Sequence, residues 1–433
     1  MTTLRIDTML YGGDGDGQTP TGQAVAIPFT LPGELVELPS NRILEPSPDR
    51  VAPACLHFGA CGGCQYQHAT YAAQLRIKED ILRNILSKAG LTDLPSLETH
   101  AGSEWHYRNR IRLRLAFVEG TLRAGYNQRS PSANTPPAFL PIEMCPLATP
   151  LLWRAAVALT HLAATSAPVA QRWLAAATDV ELFSSADERK LQLTLFVRNA
   201  PAQGFAALCE SLQDLLPELS GAGAAILPAL TSGRSRRTER HRPGPTWGAE
   251  GLLYQVTEAE AHWVTRGAFF QINRFLIETL ARTATEDQTG ALAWDLYAGV
   301  GLFTHRLARR FQQVVAVEVA EPAVTDLARS LKGTNHRAIA STALDFLQSA
   351  VLQRDRPDLI IMDPPRAGIG PEVCALLGRL RTPKLVYVSC DPQTLARDLA
   401  LLTQQNYRIT QLHLVDMFPQ TFHMETVAKL EHP

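Results

Sequence analysis

The stretch Ala293-Trp-Asp-Leu-Tyr-Ala-Gly-Val-Gly-Leu-Phe303 decides how the last third of this 433-residue chain folds. An apolar strand pattern, Ala293 to Tyr297, runs into the pair Gly299-Val-Gly301, and a helical pattern follows to Arg310. Glycines between a strand and a helix let a ligand approach the backbone closely. The third glycine of the dinucleotide fingerprint is missing, so the pair alone fits a tight structural turn equally well. Outward from it the alternation repeats. Strands are expected at 314–318, 359–363, 385–389, 409–415 and 426–430, with helices to Leu331, from Pro371 to Leu380 and from Thr394 to Leu402. Such a series builds a doubly wound, mainly parallel sheet that binds ligands at the carboxyl ends of its strands.

The candidate chemistry sits at those ends. Glu318 closes the strand after the glycines, where its two oxygens suit a ribose diol. Asp363-Pro-Pro-Arg366 follows Leu359-Ile-Ile-Met362, and the double proline makes a stiff loop. Ser389-Cys390-Asp-Pro392 follows Leu385-Val-Tyr-Val388 and faces the start of a helix, whose N–H groups are expected to stabilise a thiolate. Glu425 lies in the Pro-bounded segment Phe418-Pro-Gln-Thr-Phe-His-Met-Glu425, at the same sheet edge, and suits a general base. The bland alternatives are a structural turn for Asp363-Pro-Pro, a buried small hydrophobe for Cys390 and a surface acid for Glu425. Cys209 and Cys374, inside helical apolar patterns, are assigned to the hydrophobe reading.

Two segments precede this sheet. Residues 1–50 read as a small β module: a glycine-rich turn at Leu10–Gly17, strands at Gln23–Pro28 and Leu35–Leu38, then the linker Pro46-Ser-Pro48. Residues 51–262 read as an α+β domain with an amphipathic helix from Tyr71 to Lys88, for which packing on the catalytic domain is the alternative, and strands at 110–117 and 191–197. Its Cys55-x5-Cys61-Gly-Gly-Cys64 run, with Cys145-Pro146 downstream, suits four-thiolate ligation. A tetrahedral zinc is the rival, but the spacing is not that of a common zinc knuckle, which favours a [4Fe-4S] cluster. Seven cysteines, an odd count, argue against a disulfide framework.

Net charge is −1, so RNA contact has to come from local patches. One is the alternating row Arg108, Arg110, Arg112 and Arg114. The other is Arg234, Arg236, Arg237, Arg240 and Arg242. Each reads equally well as a solvated face. The most apolar stretch, Pro146 to Gln171, is broken by Arg154 and His161 and reads as a core helix rather than a membrane span. The N-terminus lacks a secretory signal plan, so a cytoplasmic monomer with no membrane association is expected.

Taken together, these residues resemble the uridine-C5 RNA methyltransferases that carry an iron–sulfur cluster, typified by bacterial enzymes of 23S ribosomal RNA. The cysteine run, Phe269-Phe-Gln-Ile-Asn273, Asp295 to Gly301, Asp363-Pro-Pro-Arg-Ala-Gly368, Ser389-Cys-Asp-Pro-Gln-Thr-Leu-Ala-Arg-Asp398 and His423-Met-Glu-Thr-Val427 all fall in order. The resemblance implies Cys390 as nucleophile and Glu425 as base. It implies Gln271, Tyr297 and Asp363, with Gly299, Gly301 and Glu318, around S-adenosylmethionine, and Cys55, Cys61, Cys64 and Cys145 around the cluster. It implies a multidomain α/β chain: a TRAM-like, OB-like module over 1–50, an iron–sulfur α+β domain over 51–262 and a Rossmann-like catalytic domain over 263–433. Only Leu35 to Leu44 intervenes before the linker, so the barrel is expected to be abbreviated. The RNA is expected to be 23S rRNA, with transfer RNA the alternative. An exocyclic N-methyltransferase would need no thiol, and a cytosine-C5 enzyme would be expected to place its cysteine differently. A catalytically silent RNA-binding or cluster-sensing protein would need no intact nucleophile and base.

Overall fold

In the computed structural model residues 2–130, 136–228 and 241–433 are described. Arg234, Arg236, Arg237 and Arg240 lie outside them. The chain divides into two compact units, one of residues 1–59, 64–104 and 275–433, the other of 60–63 and 105–274. This division differs from three consecutive segments: the N-terminal strands and the helix Tyr71–Lys88 belong with the catalytic sheet.

The first unit is organised by an eight-stranded sheet. Its order is Arg337–Ala340, Phe311–Glu318, Gly290–Leu296, Leu359–Met362, Lys384–Ser389, Glu425–Glu431, Arg408–Val415 and Leu97–His100. All neighbours are parallel except Glu425–Glu431, which runs antiparallel to both its partners. The chain steps outward in opposite directions from Gly290–Leu296, which creates the switch-point crevice where such sheets bind ligands. The reversed strand has a second consequence. It starts where the others end, so Glu425 stands at the same edge as Asp363 and Cys390.

The sheet is buried on both faces, which is why Leu359–Met362 is apolar at every position. The helix Tyr71–Lys88 supplies Ile77, Ile81, Leu82 and Leu86 to this core. Thr70 caps it, accepting from the Ala73 N–H. Elements not anticipated from the sequence include the strands Leu97–His100 and Arg337–Ala340 and the helices Ile277–Thr285 and Ala343–Gln353. The helix anticipated to reach Arg310 is a single turn, Thr304–Leu307. The N-terminus forms five antiparallel strands in the order Ala24–Pro28, Asp14–Gln18, Thr2–Met9, Leu35–Leu38, Arg42–Glu45. The glycine-rich stretch is half turn and half strand. Gly15 and Gly17 lie in that strand because a Cβ on either would strike Thr30 or the Arg5 carbonyl.

The second unit is a seven-stranded sheet with the helices Pro150–Thr165, Pro168–Ala176 and Phe205–Leu215 packed into its core. Ile111, Leu113 and Leu115 face that core, which leaves Arg110, Arg112 and Arg114 on the opposite face of their strand. Cys209 and Cys374 are both buried within helices, as the apolar pattern requires. No helix among the described residues is long and apolar enough to cross a membrane.

Candidate active site

At the crevice the backbone turns tightly after Leu296. Tyr297 adopts φ +63°, a left-handed conformation that costs a non-glycine residue energy, and Gly301 follows at φ +95°. A Cβ on Gly301 would stand 2.8 Å from Leu327 Cδ1. Asp295 braces this turn from beneath, accepting the Thr304 hydroxyl at 2.5 Å. It is fully buried, its other oxygen has no partner, and burial pushes its pKa up to about 7.

Glu318 is locked into the wall. Its Oε2 accepts from the Gly299 N–H at 2.9 Å, and Oε1 accepts from the Val319 and Ala320 N–H groups at 2.7 Å each. Beside it opens a cavity of about 370 Å³, lined by Tyr297, Glu318, Thr342, Ile369 and Glu372 among others. That volume is in the range of small-molecule sites. Of the residues expected around the methyl donor, Tyr297 and Glu318 line this cavity and Gly299 is tied to Glu318. Gln271 belongs to the second unit, where it is buried and its carbonyl accepts from Asn109 Nδ2 at 3.1 Å.

Next to the crevice the structure gathers Asp363, Arg366, Cys390 and Glu425. Glu425 is 2% exposed and its Oε1 has no hydrogen-bond partner. Burial raises its pKa well above the usual carboxylate range, the Asp363 charge raises it further, and Arg366 partly opposes both. The Cys390 thiol is pushed up to about 12, first by burial and then by Glu425 and Asp363. This corrects the expectation that the following helix would stabilise a thiolate. Asp391 caps that helix, Pro392–Gln404, and its Oδ1 accepts from the Gln393 and Thr394 N–H groups at 3.1 and 3.0 Å. The helix N-terminus is therefore spent on Asp391, and Cys390 is a thiol at rest.

The two proline-bearing motifs turn out to be one device. Thr394 Oγ1 donates to the Arg366 carbonyl at 3.0 Å and Arg397 to the Ala367 carbonyl at 2.9 Å. Asp398 Oδ2 accepts from the Ile369 N–H at 2.8 Å and from the Tyr387 hydroxyl at 2.7 Å. Gly368, at φ +73°, leaves room for that carboxylate, because a Cβ there would stand 2.3 Å from Asp398 Oδ2. The helix after Cys390 thus fixes the loop that carries Arg366. The loop before Glu425 is held by the helix Tyr71–Lys88. Lys78 Nζ reaches Asp416 Oδ1 at 2.5 Å and the Phe418 carbonyl at 3.0 Å, both side chains of the pair being fully buried. Gln74 and Gln420 exchange two hydrogen bonds of 2.9 Å.

Arg366, His423 and Tyr11 were given no role from the sequence. Arg366 Nη2 lies 3.3 Å from His423 Nδ1. The Tyr11 hydroxyl donates to Asp391 Oδ2 at 3.2 Å, and its ring meets Phe422 edge-on at 5.2 Å. Arg366 was legible as part of Asp363-Pro-Pro-Arg366. Nothing local marks Tyr11, which lies in the turn between Thr2–Met9 and Asp14–Gln18.

Residues 257–432 match the tRNA (uracil-5-)-methyltransferase family. The 23S rRNA (uracil(1939)-C(5))-methyltransferase RlmD of Chromohalobacter salexigens is 30% identical, over 99% of this chain and 88% of that protein. The chain belongs to the S-adenosylmethionine-dependent RNA (uracil-C5)-methyltransferase family. Another relative is an uncharacterized RNA methyltransferase of Caulobacter vibrioides, 30% identical over 99% of both chains. The fold is shared with the Pyrococcus abyssi tRNA (uracil-54, C5)-methyltransferase crystallised with S-adenosyl-L-homocysteine, at TM-score 0.71 and 22% identity, covering 98% of this chain and 99% of that one.

The cysteine run is split between the units, Cys55 and Cys64 in the first, Cys61 and Cys145 in the second. All four are half-buried. In the second unit the segment 60–63 pairs with the end of the strand Thr121–Asn127, with Gly62 N–H donating to the Asn127 carbonyl and Arg129 N–H to the Ala60 carbonyl. Tyr126, on that strand, has its pKa raised first by burial and then by Cys145, to which it is hydrogen-bonded, with a smaller contribution from Cys61. Residues 84 apart in sequence are thus brought to one phenol. The arginine row is committed to aromatic rings, Arg110 over Phe183 at 4.1 Å, Arg112 over Phe196 at 3.8 Å and Arg114 over Phe139 at 5.5 Å. Only Arg112 of the row is exposed.

Proposed function

We propose that this enzyme methylates C5 of a uridine in 23S rRNA, with Cys390 as covalent nucleophile and Glu425 as base. The observation that carries the mechanism is the meeting of one thiol, a buried carboxyl beside a half-buried one, and one guanidinium at the crevice edge. C5 of uracil is a poor nucleophile, and thiol addition at C6 gives it carbanion character. Cys390 starts as a thiol, so forming the Sγ–C6 bond releases a proton, which the Asp363–Glu425 pair takes and passes to water. S-adenosylmethionine, held on the Tyr297 and Glu318 side with Gly299 and Gly301 at the turn, supplies the methyl group to C5. Glu425 then takes the remaining C5 hydrogen as a proton, and the electron pair left behind expels Sγ from C6. Burial beside Asp363 makes Glu425 a stronger base than an exposed carboxylate, which suits a weak carbon acid. Arg366 limits the accumulated negative charge.

The choice of 23S rRNA rests on the Chromohalobacter relative; the Pyrococcus protein is named for tRNA, and transfer RNA is the second reading. Cys55, Cys61, Cys64 and Cys145 would hold a [4Fe-4S] cluster, four thiolates being its usual donor set. The five N-terminal strands would serve as a TRAM-like RNA module, and Gln271 and Asp363 would contact the methyl donor. The chain would act in the cytoplasm as a monomer. The deciding experiment maps 5-methyluridine in ribosomal and transfer RNA from cells with and without the gene, complemented by wild type or Cys390→Ala. Loss of a 23S mark restored only by wild type supports the reading, and loss confined to transfer RNA replaces it. For the cluster, anaerobically purified protein should carry about four irons per chain. One zinc and no iron would overturn that assignment.

A further inference from the structure

The catalytic sheet ends in a strand taken from far up the chain, and the seam carries three metal-ligating side chains that the reaction does not use. Leu97–His100 pairs in parallel with Arg408–Val415, in the register Glu98 to His413 and His100 to Val415. That register puts Glu98, His100 and His413 on one face of the seam. His100 Nε2 is 3.3 Å from His413 Nδ1, and His413 Nδ1 is 3.4 Å from Glu98 Oε2. The three ligand atoms all lie within 4.8 Å of one another.

The two spacings to His413, 3.3 and 3.4 Å, are long for hydrogen bonds but match two edges of a coordination tetrahedron. Ligand atoms about 2.0–2.1 Å from a tetrahedral zinc stand about 3.3–3.4 Å apart. Proton placement points the same way. Gln411 Oε1 lies 3.3 Å from His413 Nε2, so that nitrogen carries the hydrogen and donates it. Nδ1 then presents its lone pair to both His100 Nε2 and the Glu98 carboxylate, and a cation shared among the three would take a lone pair from each. An outer hydrogen bond fixing the tautomer of a ligating histidine is the usual companion of such sites. The neighbouring cations have carboxylates of their own: Arg282 pairs with Glu278 and Glu286, and Lys429 sits beside Asp287 and Glu286. Glu98 is 65% exposed, so the site opens to solvent and leaves a fourth position for water.

We propose that Glu98, His100 and His413 form a binding site for a divalent transition metal, with zinc the fitting ion. Two nitrogens and one oxygen suit zinc rather than magnesium or calcium, which prefer all-oxygen shells. The metal would clamp the outermost strand to Arg408–Val415. The loop leading to Glu425 leaves from the end of the latter strand, so the clamp would steady that loop without touching the reacting atoms.

The test uses full-length, anaerobically purified protein with its cysteine-bound metal in place, stripped of loosely held ions and titrated with Co2+. One further equivalent should bind, giving visible d–d bands without the sulfur-to-cobalt charge transfer of a cysteine site. Glu98→Gln, at an exposed position, and His100→Gln should each weaken this binding by about tenfold or more, since even outer-shell changes at metal sites cost that much. Zn2+ should displace the cobalt. Equal cobalt uptake by wild type and both variants, or cobalt seen only with sulfur ligation, overturns the proposal. Methyl transfer plays no part in the readout, so the result stands apart from the catalytic assignment.

Discussion

Replacing Glu425 by Gln should have opposite effects on turnover and on the reactivity of Cys390. The carboxylate is the largest charge holding the thiol up, after burial itself. A unit charge within the roughly 4–6 Å over which neighbouring charges shift a pKa is worth about 3–4 kcal/mol at an effective dielectric of about 20. The lower figure corresponds to about two pKa units. Removing it should bring the thiol from about 12 to roughly 10. The thiolate fraction at pH 8 then rises about 100-fold, while the lower basicity of the thiolate reduces its intrinsic nucleophilicity by roughly eightfold. The net expectation is about tenfold faster alkylation of Cys390 by iodoacetamide in Glu425→Gln, followed by peptide mass spectrometry. In wild type the labelling rate should keep climbing with pH beyond 9, the range where an ordinary thiol levels off, because the group ionises only at higher pH. The same variant should lose turnover and accumulate a methylated protein–RNA adduct that survives a denaturing gel, since only elimination is blocked. Cys390→Ala should erase both signals. Unchanged or slower labelling in Glu425→Gln would refute the electrostatic argument, and normal turnover would remove Glu425 as the base.

Arg366→Met should slow Cys390 labelling and lower kcat, because the one group that lowers the thiol pKa is gone. Faster labelling would contradict its placement. Gly368→Ala should cut kcat at least about tenfold, since the added methyl displaces the Arg366 loop and misplacements near 1 Å carry penalties of that order or more; S-adenosylmethionine affinity, measured by calorimetry, should change less. Lys78→Met should destabilise the protein by about 3–5 kcal/mol by leaving Asp416 buried and unpaired, whereas Lys78→Met with Asp416→Leu should recover most of the loss. Denaturant melts of the single and double variants check this, and additive losses would show that the two side chains are not coupled.

The sequence by itself determined most of the strands and helices after residue 290, though not Arg337–Ala340 or Ala343–Gln353, and the placement of Cys390, Asp363 and Glu318 just past or at strand ends. Those features are local: apolar runs of four to six residues, then Gly, Pro or Asp at the point where the run stops. The helix Tyr71–Lys88 was legible for the same reason, its apolar residues recurring at helical spacing between a threonine cap and a glycine. What only the tertiary structure decided is how those groups behave. Local sequence suggested a thiolate beside a helix N-terminus; the fold gives that N-terminus to Asp391 and surrounds the thiol with carboxylates from two other strands. The antiparallel insertion of Glu425–Glu431 between parallel neighbours brings Glu425 to the reacting edge, and no pattern within seven residues encodes which neighbours a strand will take. The seam of Glu98, His100 and His413 joins positions more than 300 apart. Proton affinity depends on burial and on charges a few ångströms away in space, and in a sheet assembled from distant segments those neighbours are set by strand order.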